Sequence, residues 1–403
     1  MRFPSGIRAL SHRDFRLFWG GQAVSLIGSW MQTVGQSWLV LELTNSPLAL
    51  GAVGALQWTP MLVLSFVAGA IVDRVPKRRL IIGTQTALLI QAFLLSALVW
   101  TGAVRYWHVA TLAFLLGIVN TADIPARQSF IVEMVGPEDL INAIALNSAV
   151  FNAARVIGPA VAGLLIARFG IALAFFLNGA SFLAVIGALL AVRAEGLPRP
   201  RRGTTMAQEI SEGIRYAVVS PRVSLILSLV MAISIFVINY NVMVPLLARD
   251  VLHQDAHGFG LLMASLGGGA LAGAVVLALL GQGRPPLTLI IVPAILISAA
   301  TLSLAAIRLF WPAAGALALV GFCHTLFLGS CNTTLQLGAP GELRGRVMSL
   351  YAFVFSGVTP IGSFLMGSIA QTFGVSAAYA AAGGLGLLSV LALAAAWRYR
   401  HGR

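Results

Sequence analysis

Apolar residues along this chain come in long unbroken runs, not in strand-like alternation. Twelve runs of roughly 20 residues follow one another, at approximate ranges 15 to 41, 48 to 72, 80 to 101, 106 to 128, 142 to 168, 171 to 192, 223 to 247, 258 to 280, 287 to 307, 312 to 334, 347 to 372 and 375 to 396. At 1.5 Å of helix per residue, each can cross a hydrocarbon core about 30 Å thick. Barrel strands would be segments of about 10 residues with alternating character, and these runs are continuous and rich in Leu, Ala and Gly. The pattern predicts an all-α membrane protein with twelve transmembrane helices, numbered below as spans 1 to 12.

Composition excludes a soluble chain: of 403 residues, 58% are hydrophobic and 10% charged, against about 25% charged in an ordinary domain. The net charge of +13 would suggest nucleic acid in a soluble protein, but here the positions of the cations explain it. They crowd the first residues (Arg2, Arg8, Arg13, Arg16), the stretch Arg74 to Arg79, the middle (Arg193 to Arg222) and the end (Arg398 to Arg403). With the N-terminus in the cytoplasm, about 21 of the 26 basic residues fall on the cytoplasmic side and about four outside. A multi-pass protein of the cytoplasmic (inner) membrane, surrounded by lipid, with both termini in the cytoplasm and no nucleic acid partner, is therefore expected. The first apolar run is too long for a cleavable signal and lacks a small-residue cleavage site. Cys323 and Cys331 share span 10, so no disulfide framework is expected. Six His and two Cys show no metal spacing, and no cofactor is implied.

The stretch from Arg193 to Arg222, rich in Pro and Arg, reads as a cytoplasmic linker, in which AQEISEGIRYAV could lie as an amphipathic helix on the membrane. It divides the chain into an N-terminal six-helix bundle (1–193), the linker (194–221) and a C-terminal six-helix bundle (222–403). An internal repeat supports the division. Glu138, Leu146, Gly158, Gly163, Phe169 and Gly170 recur at a constant offset as Glu342, Leu350, Gly362, Gly367, Phe373 and Gly374. Two pseudo-symmetric halves repeated in parallel are a transporter architecture.

The stretch GAIVDRVPKRR between spans 2 and 3 resembles the loop signature G-x-x-x-D-R-x-G-x-R-R of the major facilitator superfamily, through Gly69, Asp73, Arg74, Arg78 and Arg79. It departs at Pro76, where the family has Gly, and the corresponding loop of the second half keeps only Arg284 and a proline. Span 5 is similar to the exporter motif G-x8-G-x3-G-P-x2-G-G through Gly158, Pro159 and Gly163, with Ala145, Ala154 and Ala162 where the motif has glycine, and Arg155 lies within it. DIPARQSFIVEMV, NAARVIGPAVAG and NYNVMVPLLARDVL resemble the branch that holds the enterobactin exporter, macrolide efflux and transmembrane secretion effector proteins. The resemblance covers the whole chain. It implies two six-helix bundles and alternating-access efflux of a hydrophobic or amphipathic small molecule, drug- or siderophore-like, by a monomer coupled to protons. It further implies that Asp73 gates the cytoplasmic side against a helix N-terminus, where a carboxylate meets positive partial charge.

By the same resemblance spans 1, 4, 7 and 10 line the cavity. Span 1 offers Gln22, Ser25, Ser29, Gln32, Thr33 and Gln36 at helical spacing, a wet face for an amphipathic solute. Span 4 adds Asn120, span 7 Asn239, Tyr240 and Asn241, and span 10 His324, Ser330 and Asn332. For any one of these residues the plainer role is an interhelical hydrogen bond. Charges inside a span cost about 2.5 to 3.5 kcal/mol on insertion scales, so Asp123 and Arg155 call for a reason. Their depths differ by roughly 14 Å, which leaves Arg127, four residues on, as the neighbour of Asp123. Asp123 is the first candidate for proton exchange, with a latch to Arg127 as its structural alternative; Glu42 and His324 are further candidates.

Rival functions have little support. The only lysine, Lys77, lies between Pro76 and Arg78 and so forms no phosphate-binding Gly-Lys-Ser/Thr loop, which excludes an ATP-driven pump. A membrane-embedded enzyme would need catalytic groups in sizeable external loops, and those here are short. A non-transporting membrane sensor of the same fold is the remaining alternative.

Overall fold

The computed structural model describes residues 5–196, 215–280, 283, 285–340 and 343–401. Most of the linker and its expected amphipathic helix, together with Arg284 and Glu342, lie outside them. A short 3-10 turn (Ser5–Ser11) leads into α1 (Arg13–Thr44), α2 (Pro47–Arg74), α3 (Lys77–Trp100), α4 (Tyr106–Phe169) and α5 (Ile171–Ala191). Beyond the linker follow α6 (Pro221–Phe236), α7 (Tyr240–Leu246), α8 (Ala256–Leu279), α9 (Thr288–Ser303), α10 (Phe310–Gly338), α11 (Arg344–Gly357), α12 (Thr359–Phe373) and α13 (Val375–His401).

Among the described residues, nine helical stretches are long and apolar enough to cross a membrane. One of them, α4, is 64 residues long and carries both span 4 and span 5. Two further crossings complete the pattern: α9 is apolar but shorter, and α1 has the length, with its apolar character diluted by the glutamine and serine face. The fold is thus the all-helical membrane architecture that the hydrophobic pattern predicts.

Local chemistry explains where the helices break. Gly136 takes φ 70° inside α4 and is followed by Pro137, the glycine-then-proline order that ends one helix and starts another. Span 7, expected as one helix, is α6 and α7 joined at Asn239 (φ −110°, ψ 40°) and followed by a π-helical turn, Leu247–Val251. Pro245 lacks the N–H that would bind the carbonyl four residues back, which weakens the ladder there. Span 11 likewise divides into α11 and α12, with Pro360 in the first turn of α12.

The described chain forms two compact units. Unit 1 comprises Met1–Asn45, Thr59–Arg201 and Ala256–Gly260; unit 2 comprises Ser46–Trp58, Arg202–Asp255 and Leu261–Arg403. In unit 1, α1 and α3 each pack against α4 and α5. In unit 2, α9 packs against α10 and α13, and α6 against α13 and α11.

The sequence repeat is also a repeat of packing. Lipid tails are as apolar as leucine, so helices in a membrane associate through close contact and polar groups, and small residues let backbones approach. In unit 1, a Cβ at Gly163 would lie 2.9 Å from the Ala256 carbonyl oxygen and 3.1 Å from Gly260 Cα. In unit 2, a Cβ at its repeat partner Gly367 would lie 2.8 Å from the Pro47 oxygen and 2.9 Å from Gly51 Cα. Five residues earlier, Gly158 presses on the carbonyl of Ile27 and Gly362 on that of Ile235. The turns that follow match too: Gly170 (φ 81°, ψ 168°) and Gly374 (φ 87°, ψ 163°) share one left-handed conformation.

A side chain at these seams has to push backbone aside. Gly367→Val is expected to lower stability by about 1–3 kcal/mol. Gly83→Ala, at an exposed α3 position where a Cβ meets nothing within 4 Å, should leave it unchanged or slightly raised. Thermal unfolding of the purified variants in one detergent checks both.

Candidate functional site

Unit 1 gathers its membrane-embedded charge around Asp123. The carboxylate is 0% exposed. Thr84 Oγ1 and Gln85 Nε2 donate to its Oδ1 at 2.6 and 3.0 Å, and Arg127 forms an ion pair with its Oδ2. The four-residue spacing predicts that pair, and the helix runs on through Pro125 to deliver it. Thr84 and Gln85 were not picked out from the sequence; the signal available was two consecutive polar residues inside an apolar run.

The loop after α2 acts within unit 1 as a set of clamps. Lys77 is 3% exposed, with Nζ 2.8 Å from Glu133 of α4. Arg78 donates from Nε and Nη2 to the carbonyls of Leu189 (2.7 Å) and Leu190 (3.0 Å), capping acceptors at the end of α5. The backbone N–H groups of Lys77 and Arg78 donate to the oxygens of Gly196 and Glu195, and Asp14 accepts from the backbone of Arg193 and Ala194. Asp139 binds Arg8 (3.2 Å) and His12 (2.8 Å), which ties the N-terminal turn to the segment between spans 4 and 5. Asp73, Arg74 and Arg79 are exposed; among the described residues Asp73 has no ion-pair partner. A Cβ at Gly69 would meet nothing within 4 Å.

The polar face of span 1 does not act as one surface. Gln32 donates to Gln91 Oε1 (3.0 Å) and accepts from Asn178 Nδ2, a buried amide ladder across α1, α3 and α5. Gln22 donates to Asn147 Oδ1 at 2.9 Å. Both amides are therefore part of the unit's interior, which corrects the expectation that they meet solute: in an apolar surrounding an amide finds another amide. Ser29 Oγ returns its proton to the Ser25 carbonyl. Gln36 is buried, Asn120 half-buried and Glu42 exposed near the end of α1. Arg155 sits over the Trp30 ring, 5.8 Å from its centroid, a cation–π contact, and Trp30 meets Phe151 edge-on.

In unit 2, Asn239 is buried at the break in span 7, where it donates to the Ile235 carbonyl (2.7 Å) and accepts from Ser363 (3.4 Å). The neighbouring Tyr240 ring lies 5.5 Å from the buried imidazole of His324. Asn332 accepts from Gln336 at 2.6 Å, and Asn241 is half-buried. Among the described residues no cluster of His, Cys, Asp or Glu could hold a metal ion.

Many apolar crossings, repeated seams and buried polar ladders define a multi-pass membrane transporter of the major facilitator fold. Solved structures agree on the fold. The nucleoside transporter NupG superposes with TM-score 0.78 at 9% identity, over 96% of this chain and 99% of its own. A bacterial homologue of the lysosomal transporter Spinster gives 0.71 at 15%, over 96% and 95%. The family model described as transmembrane secretion effector matches residues 4–402, and the chain belongs to that family, whose members are transporters and not enzymes. It is similar to the multidrug efflux pump Tap of Mycolicibacterium fortuitum (29% identical, 88% of each chain). It also resembles the staphyloferrin A transporter of Staphylococcus aureus (25%, 89% of this chain and 90% of that one) and macrolide efflux protein A of Streptococcus pyogenes (25%, 90% of each).

Asp123 and Arg127 are a buried pair, and removing one partner strands the other. Asp123→Ala is expected to cost about 3–5 kcal/mol. The Asp123→Asn, Arg127→Met double variant should recover most of that loss. Melting temperatures of the three proteins measure the difference.

Proposed function

We propose that this chain exports a hydrophobic or amphipathic small molecule, drug- or siderophore-like, by alternating access, with protons moving inward in exchange. The relatives support export: two of the three named above are efflux proteins by name, for multiple drugs and for macrolides, and the third is a staphyloferrin A transporter. The observation that carries alternating access is the twofold glycine seam, Gly163 on Gly260 in unit 1 and Gly367 on Gly51 in unit 2. Glycine lets the backbones meet there, beside the hydrogen bond from Ser46 to Gln371 (2.8 Å) and the stacked rings of Trp38 and Phe259, contacts that a transport cycle would have to break and re-form. In this reading the sequence halves 1–193 and 222–403 are the moving bodies of a monomer, joined by the linker 194–221. The termini and the loop from Gly69 to Arg79 lie in the cytoplasm of a bacterial inner membrane. Asp73, exposed at the end of α2, is the carboxylate available to a gate, while Lys77 and Arg78 hold the loop to its own bundle.

Within unit 1 the residues proposed to meet the solute are Arg155, Trp30, Gln36 and Asn120; within unit 2, taken by itself, they are Tyr240, Asn241, His324 and Asn332. Proton exchange is assigned to Glu42 in preference to Asp123. Asp123 is held in one arrangement by Thr84, Gln85 and Arg127, whereas Glu42 is exposed and accepts from Trp38.

Purified protein in vesicles with an imposed pH gradient tests the whole reading, with a fluorescent lipophilic cation and a labelled macrolide as probes. Glu42→Gln is expected to abolish gradient-driven accumulation of the probe, and Asp123→Asn to keep the gradient dependence at reduced protein yield. Loss of coupling only in Asp123→Asn would return the proton role to that residue. Absence of accumulation of any probe in the unaltered protein would favour the sensor alternative.

A further inference from the structure

Unit 2 encloses a small cavity between spans 7, 9, 10 and 12. Its wall includes Tyr240, Thr301 and Tyr379 among apolar neighbours such as Val237, Leu317 and Val320. The space open to the centre of a water molecule is about 10 Å³, at the lower edge of the roughly 10–15 Å³ that one buried water needs. Volume alone would leave a dry apolar void as the simpler reading, because engineered cavities far larger than this stay empty when they are purely apolar.

The polar groups decide otherwise. Tyr379 is 2% exposed, and its hydroxyl has no hydrogen-bond partner among the described residues. A buried hydroxyl left unpaired costs about 1–3 kcal/mol. Thr301 donates its proton to the Ile297 carbonyl at 2.8 Å, so its oxygen is placed to accept. Tyr240 lines the same space and lies within electrostatic reach of Tyr379. Three hydroxyl-bearing residues line room for one molecule, and a buried water requires two to four partners.

We infer that this cavity is a binding site for a single ordered water, which accepts from the Tyr379 hydroxyl and bridges it to Tyr240 and Thr301. The water ties α13 and α9 to the break in span 7, at the residue whose ring packs on His324. Tyr379 is thereby a positioning residue for Tyr240: it sets the ring through a water. No larger solute group fits the space.

Two measurements on the full-length protein in nanodiscs test the inference independently of transport. Tyr379→Phe keeps the ring and removes the hydroxyl. With a bridging water, its melting temperature should fall by about 2 °C, and the fall should be smaller in a Tyr240→Phe background, where the water keeps only its link to Thr301. An unchanged or raised melting temperature would mean that the variant had only relieved an unmet donor, and would overturn the site. X-ray radiolytic labelling in ¹⁸O water reads the unaltered protein. Rapid oxidation of buried Tyr379, with slow exchange of the ¹⁸O label, is expected; no oxidation at Tyr379 while exposed tyrosines such as Tyr399 are labelled would equally overturn it.

Discussion

Inside a bilayer, helices gain nothing by hiding apolar surface from one another, and this constraint shapes the rest of the molecule. Adhesion must come from van der Waals contact at close range and from hydrogen bonds between polar side chains. The chain uses both, at different places. Glycines at 51, 163, 260 and 367 bring backbones to distances at which any Cβ would collide, while Gln32, Gln91 and Asn178 form a ladder of amides across three helices. The first kind of contact depends on backbones meeting at close range; the second fixes a bundle internally.

The same division applies to charge. Lys77 with Glu133 and Asp123 with Arg127 are ion pairs in each of which one member, Lys77 or Asp123, is buried and the other is partly exposed. Breaking such a pair is costly in low dielectric, which suits a role that holds one arrangement. Arg78 uses its fork to cap the end of α5. The cationic loop therefore does more than carry charge: Lys77 and Arg78 bind the bundle from which it emerges, and its aspartate is left at the surface.

The crossings, the helical class and the repeat were legible in the sequence because each rests on a property of one segment: apolar length, or residue identity at a fixed offset. The Asp123 and Arg127 pair was legible for the same reason, being a four-residue spacing on one helix. What could not be read was any partnership between distant segments. Gln32 looked solute-facing because its helical face is polar, and only the meeting of α1 with α3 and α5 shows that amides on the other two complete it. Breaks in span 7 and span 11 were hidden by continuous apolar character, although Pro360 stands in the first turn after the break in span 11.

The two halves repeat in backbone but not in chemistry. Their glycines, their turns and their seams correspond residue by residue, yet the one carboxylate within the predicted spans, Asp123, lies in the first half and has no counterpart in spans 7 to 12. The second half carries Tyr240, His324 and Tyr379 in its interior instead. Duplication supplies a symmetric frame, and the charges within the predicted spans, Asp123, Arg127 and Arg155 among them, stand on one half of that frame only.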